Sequence, residues 1–360
     1  MTSPLPRPPY DPATQLVLEQ LDAVGALLPL TSSTFSTLRS PAPEVRERLM
    51  ARCPEAQLEE HAVRRPDGSE MVLTVGHPTS KDLTAELEGC GPLFLSLHSG
   101  GRILGCRYND LAAPLAWAER FGGVVVSPEY RLAPEHPAPA ASDDCLLALR
   151  WAVQHAEDLG ADPGRVIVAG ASAGGGLGAS LALASRDQSG PKLLGCLLDY
   201  PMLDDRTGLP GADGVPAPSS ARQYPHDGLW PANWNNWAWE QVLPGRRGGE
   251  DVGIYDVAGR AADIPGALAD LPPLFLTVAS AETFRDEVVA FASALWRDGG
   301  DCELHVWPGG THAMEQVNTT WLREGLEHAR LSWLERLLEP QDPQLNLERV
   351  RAAGTFAALS

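Results

Sequence analysis

At 360 residues, 44% of them hydrophobic and 21% charged, the chain has the composition of a globular protein with room for one large domain and additions. Formal net charge is −19, with Lys81 and Lys192 the only lysines, so the field repels phosphate backbones and argues against a nucleic-acid partner. No stretch approaches the ~20 apolar residues of a membrane span. The six cysteines, at 53, 90, 106, 145, 196 and 302, contain no C-x-x-C pair and read as reduced core residues rather than a disulfide framework or a metal site.

The N-terminal "MTSPLPRPPYDP" has neither the basic start nor the apolar core of a secretory signal, so a cytoplasmic location is expected. In "ATQLVLEQLDAVGALL", Leu16, Val17, Leu21 and Val24 recur at helical spacing, which predicts an amphipathic helix outside any sheet. "EEHAVRRPDGSEMVLTVGHP" places two extended runs about the turn-former "PDGS", as in a β-hairpin. From there strand-like apolar runs alternate with helical patterns. "PLFLSLH" (92–98) precedes a helix near 110–121, "GGVVVSPEY" one near 141–158, and "RVIVAGAS" one near 175–186. "LLGCLLDYP" follows, then "PPLFLTVAS" with a helix over 285–298 and "CELHVWPG" with a helix over 314–337. Continuous apolar strands separated by helices imply an α/β fold, a mostly parallel sheet of about eight strands with the hairpin at one edge. Between Asp204 and Leu271 the alternation breaks. The insertion there carries Trp230, Trp234, Trp237 and Trp239, rings that either fasten it to the core or line an apolar pocket.

Three segments carry chemistry. In "VIVAGASAGGGLGASLALA" a β-branched run enters Gly170-Ala171-Ser172-Ala173-Gly174 and leaves into a small-residue helix. G-x-S-x-G between strand and helix is the nucleophile-elbow pattern, in which glycines permit a sharp turn that lifts the serine oxygen clear of the backbone. A rival match overlaps it: Gly174-x-Gly176-x-x-Ala179 fits a dinucleotide fingerprint, with Asp199 20 residues on as a ribose-binding acid, although Gly174 falls past the strand end. At the end of strand 92–98, His98-Ser99-Gly100-Gly101 forms a glycine turn whose bare amides can approach a developing oxyanion. Of nine histidines, His312 in "WPGGTHAM" stands in a glycine loop directly after the last strand, where sites gather in α/β sheets, and is the expected base. His61, His77, His155, His226 and His328 lack strand-end context, His98 belongs to the glycine turn, His136 lies in a loop and His305 inside a strand.

The orienting acid is sought in "SAETFRDE", which holds Glu282, Asp286 and Glu287. Glu282 follows the strand immediately, whereas Asp286 and Glu287 fall in the first helical turn, where carboxylates have the ordinary role of stabilising a helix N-terminus by about 0.3–1 kcal/mol. Glu282 is therefore expected as the acid, with Asp286 the alternative.

With these motifs, and with "PEYRLAPEHPAPAASDDCLLALRW", "DYPMLDDR" and "ELHVWPGGTH", the chain resembles the hormone-sensitive-lipase-like family of α/β-hydrolase carboxylesterases over residues 60–205 and 270–340. The resemblance implies a helical cap from residues 1–50 and 205–245, core segments 51–204 and 246–340, and a tail, 341–360. It also implies hydrolysis of small-molecule carboxylic esters without metal or cofactor. By position it makes Ser172 the nucleophile, His312 the base, and Gly100, Gly101 and Ala173 the oxyanion amides; aligned on Arg285-Asp286-Glu287, Glu282 stands where many relatives have the triad aspartate. Three departures go with it. Ser99 replaces a glycine of HGGG, at a cost of about 1–2 kcal/mol if the turn is left-handed there. Ala171 and Gly176 replace an aspartate and an asparagine that brace the elbow in many relatives. The competing classes are a non-catalytic binder using the same pocket and, by the glycine fingerprint, a dinucleotide-binding oxidoreductase. Assembly into a homo-oligomer, the acyl preference, and ester against lactone, amide or carbamate stay open.

Overall fold

Runs such as "PLFLSL" and "GCLLD" are apolar at every position, which suits strands covered by helices on both faces. In the computed structural model, which describes residues 5–25, 27, 29–77, 91–210 and 219–339, these runs are the middle of one eight-stranded sheet. Cys90, residues 211–218 of the insertion and the tail 341–360 lie outside the described residues. The strands are β1 (Gln57–Arg64), β2 (Glu70–His77), β3 (Gly91–Leu97), β4 (Val124–Pro128), β5 (Ala161–Ala171), β6 (Gly195–Asp199), β7 (Leu274–Ala279) and β8 (Cys302–Trp307), in the order 1-2-4-3-5-6-7-8. β1 and β2 form the expected edge hairpin, β2 joins β4 antiparallel, and every remaining pairing is parallel.

The helices are α1 (Pro12–Ala23), α2 (Phe35–Leu38), α3 (Ala42–Arg52), α4 (Ala112–Phe121), α5 (Ala140–Gln154), α6 (Ala173–Asp187), α7 (Ser219–Gln223), α8 (Ala232–Val242), α9 (Arg285–Arg297), α10 (Met314–Val317) and α11 (Trp321–Leu338). Because strand side chains alternate, two cores form. Leu93, Leu95, Val166, Val168, Leu198 and Leu276 face one layer, with Leu149 of α5, Leu177 of α6 and Phe291 of α9. Phe94, Val125, Ile167, Leu197 and Phe275 face the other, with Val45 of α3, Trp117 of α4 and Trp333 of α11.

The helix expected over 314–337 is two helices. Asn318 breaks it: its Oδ1 accepts from Thr320 N at 2.9 Å while its Nδ2 donates to Thr14 Oγ1 at 3.0 Å, local and tertiary bonds that compete with the helical ladder. The N-terminal segment is thereby held beside the loop that carries His312. Asp11 N–H donates to Gly309 O at 2.8 Å, and Tyr224, just after α7, reaches Pro8 O at 2.5 Å.

The small residues opening α6 serve close packing. A Cβ on Gly174 would lie 1.9 Å from Leu97 O, and one on Gly176 1.9 Å from Met202 O. The helix start is pressed between the ends of β3 and the chain leaving β6. Gly176→Ala must therefore displace backbone, and a loss of about 1–3 kcal/mol is expected, read as a lowered urea midpoint at unchanged m-value; a midpoint equal to wild type would contradict this packing.

Candidate active site

β5 ends at Ala171 and the chain turns sharply at Ser172, whose backbone sits at φ 54°, ψ −114°. A non-glycine residue held there costs on the order of 1–3 kcal/mol and needs support from its surroundings. Main-chain bonds provide it: Ser172 N–H donates to Asp199 O at 2.9 Å, and Ser172 O accepts from Met202 N at 2.9 Å and Gly176 N at 3.0 Å. These bonds brace the elbow although Ala171 and Gly176 carry no polar side chains.

The glycine turn after β3 takes positive φ at Gly100 (115°), Gly101 (64°) and Arg102 (59°), but not at Ser99. The cost expected for a serine at position 99 therefore does not arise, and its N–H instead donates to Asp110 Oδ2 at 2.8 Å. His98 shapes this turn. Its Nδ1–H donates to Ser99 O at 2.7 Å, its ring stacks on Tyr130 at 4.0 Å, and Tyr130 Oη donates to His98 O at 2.8 Å. Full burial holds its pKa down, so the ring is a neutral strut. The first turn of α6 abuts the end of β3, where a Cβ on Gly174 would lie 1.9 Å from Leu97 O and 2.7 Å from His98 O.

The His312 loop approaches from the end of β8. His312 Nδ1–H donates to Glu282 Oε2 at 2.7 Å, which leaves Nε2 to accept from Ser172 Oγ at 3.0 Å. The other oxygen, Glu282 Oε1, accepts from Ala279 N at 2.7 Å, so the carboxylate is clamped to the end of β7. Ser172, Glu282 and His312 are 2%, 2% and 5% exposed, which shields the chain of bonds from competing water. Tyr200 and Phe284 meet the imidazole edge-on at 4.8 and 5.1 Å, and Trp230 lies 6.3 Å away.

Asp286 and Glu287 are not brought to His312. Both stand in the first turn of α9, yet their partners are other segments rather than the helix end alone. Asp286 Oδ2 accepts from Ser220 N at 2.9 Å and so fastens α7. Buried Glu287 accepts from Leu203 N at 2.8 Å, Asp204 N at 3.4 Å and the Thr207 hydroxyl.

The tryptophans of the insertion pack in different places. Trp239 is fully buried beside the Arg102 guanidinium, and Trp237 packs on Phe35. Trp230 lies directly on the glycine turn, since a Cβ on Gly101 would sit 2.6 Å from its ring. The dinucleotide pattern finds no room. Gly174, Gly176 and Ala179 are buried within α6, and the Asp199 carboxylate is bound to Arg330 Nη2 at 2.7 Å. Sequence reasoning missed Tyr200, Phe284 and Tyr130; Tyr200, immediately after β6, and Tyr130, two residues after β4, carried a strand-end signal.

A family model described as an α/β hydrolase fold matches residues 94–316. The carboxylesterase NlhH of Mycobacterium tuberculosis is 32% identical over 321 residues, 87% of this chain and 91% of that protein. The esterase LipI of the same species is 30% identical over 280 residues, 70% and 73% of the two chains. Among solved structures, the esterase LipW of Mycobacterium marinum superposes with a TM-score of 0.74 at 29% identity, covering 93% of this chain and 99% of that one.

The partners of the two remaining acids separate their effects. Glu287→Ala strands two buried donors, Leu203 N and the Thr207 hydroxyl, and should lower stability by about 2–5 kcal/mol in urea unfolding, well beyond the ~1 kcal/mol of a helix-terminus carboxylate. Asp286→Asn should cost under about 1 kcal/mol. Equal, small losses for both would mean that Glu287 serves only the helix end.

Proposed function

Because the chain belongs to the hormone-sensitive-lipase-like α/β hydrolases and is an esterase of that family, we propose that it is a serine carboxylesterase working through an acyl-enzyme on Ser172, with His312 as base and Glu282 as orienting acid. The observation that carries this reading is the unbroken chain from Glu282 Oε2 through both nitrogens of His312 to Ser172 Oγ, at 2.7 and 3.0 Å. Those lengths lie within the hydrogen-bond reach that proton transfer needs.

In the proposed cycle Ser172 Oγ attacks the ester carbonyl carbon as His312 Nε2 takes the hydroxyl proton. The tetrahedral oxyanion is held by the amides of Gly100, Gly101 and Ala173, each such donor being worth on the order of 10²–10³ in turnover. The imidazolium returns its proton to the departing alcohol, and water, activated by the same histidine, releases the acid. Glu282 keeps the tautomer with the proton on Nδ1 and balances the imidazolium charge while it lasts. Of residues 1–50, α3 packs in the core layer with Trp117 and Trp333, and the part before it serves with 205–245 as the cap, a division supported by the bonds from Asp11 and Pro8 to the histidine loop and Tyr224, and by Trp230 lying on Gly101. The substrates of this reading are small carboxylic esters.

The test is pre-steady-state hydrolysis of 4-nitrophenyl acetate together with labelling by a fluorophosphonate. Wild type should label and give a burst of one nitrophenol per site, and Ser172→Ala should do neither; equal hydrolysis by both ends the proposal, and a folded wild type that never labels favours a non-catalytic binder. Glu282→Gln should cut kcat by on the order of 10²–10⁴ with the fold retained, whereas Asp286→Asn should leave kcat near wild type. The reverse pattern would transfer the acid role to Asp286.

A further inference from the structure

Behind the two catalytic loops lies a chain of charges, buried at Asp199 and Arg330 and half-buried at Glu315, that the proposed mechanism does not use. Asp199 ends β6, and while its main-chain oxygen takes the Ser172 N–H, its carboxylate accepts from Arg330 Nη2 at 2.7 Å and Nε at 3.2 Å. Arg330, on α11, also stands 3.5 Å from Glu315 Oε1 and 3.2 Å from Glu327 Oε2. Glu315 lies three residues beyond His312 and accepts from Tyr200 Oη at 2.5 Å, and the ring of that tyrosine meets the imidazole edge-on at 4.8 Å. Asp199, Tyr200 and Arg330 are 5%, 2% and 5% exposed, and the second oxygen of Glu315 is buried without a partner.

Two inward-facing carboxylates, one behind the serine and one beyond the histidine, thus share Arg330 as a common counter-charge. Buried carboxylates are costly unless a cation compensates them. A guanidinium can serve two at once because its fork presents several donors in one rigid plane, which an ammonium does not. The two loops come from distant parts of the chain and meet where Ser172 Oγ and His312 Nε2 stand 3.0 Å apart.

We propose that Arg330 is a positioning residue, a cationic bolt that ties the Asp199–Ser172 elbow to the Glu315–Tyr200 support beneath His312 and so holds nucleophile and base in register. This rests on the ester hydrolysis proposed above. Misplacement of reacting groups by about 1 Å can cost on the order of 10²-fold in rate, so the bolt acts on kcat and leaves ester binding nearly untouched.

The experiment compares wild type, Arg330→Gln, Tyr200→Phe and their double variant with 4-nitrophenyl butyrate, well below each melting temperature. Turnover is counted per fluorophosphonate-titrated site, so that a lower folded fraction does not count as a lower rate. Arg330→Gln should lower kcat per site by about 10- to 100-fold with KM changed by less than about threefold. Tyr200→Phe keeps the ring and removes only the hydroxyl, and should lower kcat by about three- to tenfold. The double variant should be no worse than Arg330→Gln alone, because both changes break one chain of bonds. A kcat per site within about twofold of wild type in Arg330→Gln, or losses that simply multiply, would overturn the bolt. Should Arg330→Gln fail to fold, Tyr200→Phe and Glu315→Gln decide instead, and wild-type turnover in both would sink the proposal. A wild type that neither bursts nor labels would overturn the esterase reading itself, whereas a bursting wild type matched by its variants overturns the bolt alone.

Discussion

Everything at this site depends on a serine backbone held at positive φ. Ser172 sits at φ 54° because three main-chain bonds, to Asp199 O, Met202 N and Gly176 N, leave it no alternative. Those bonds form only if the start of α6 can press against the ends of β3 and β6. That approach is what the glycines allow, with the Leu97 and Met202 carbonyls occupying the space where side chains would be. The glycine turn, with His98 as its neutral strut, leaves the end of β3 against which α6 is pressed. Small residues here are a condition for the tight turn at Ser172, and the strain at that residue is offset by the packing around it.

Glu282 and His312 come from the other half of the sheet. Glu282 is clamped by Ala279 N–H at the end of β7, and His312 follows β8, so two neighbouring parallel strands deliver partners 30 residues apart in sequence to a 2.7 Å contact. The remaining carboxylates of this region have been put to other work. Glu287 gathers the chain around 203–207, Asp286 fastens α7, and Asp199 and Glu315 meet Arg330. In a chain of net charge −19, the acids that enter the interior are those with a donor waiting.

The parallel sheet, its edge hairpin and the strand-end positions of Ser172, Glu282 and His312 were legible because they rest on local periodicity and on turn residues that must lie close in sequence. The break at Asn318 was hidden, since its cause is a bond to Thr14 some 300 residues away. Four tryptophans in one insertion looked alike; only the folded chain separates Trp230, lying on Gly101, from Trp239, sealed beside Arg102. The cost assigned to Ser99 disappeared for a similar reason, because the left-handed residues of the turn fall at 100, 101 and 102.

By itself the sequence determined the class of architecture, the family resemblance and which residue types stand at strand ends, since pattern and turn chemistry act over a few residues. Tertiary structure alone decided which of three carboxylates meets His312, how Ser172 is braced without polar neighbours at 171 and 176, and that Arg330 joins the two loops. Those outcomes depend on distances between segments far apart in the chain, and a hydrogen bond or an ion pair forms only where packing brings its partners within about 3 Å.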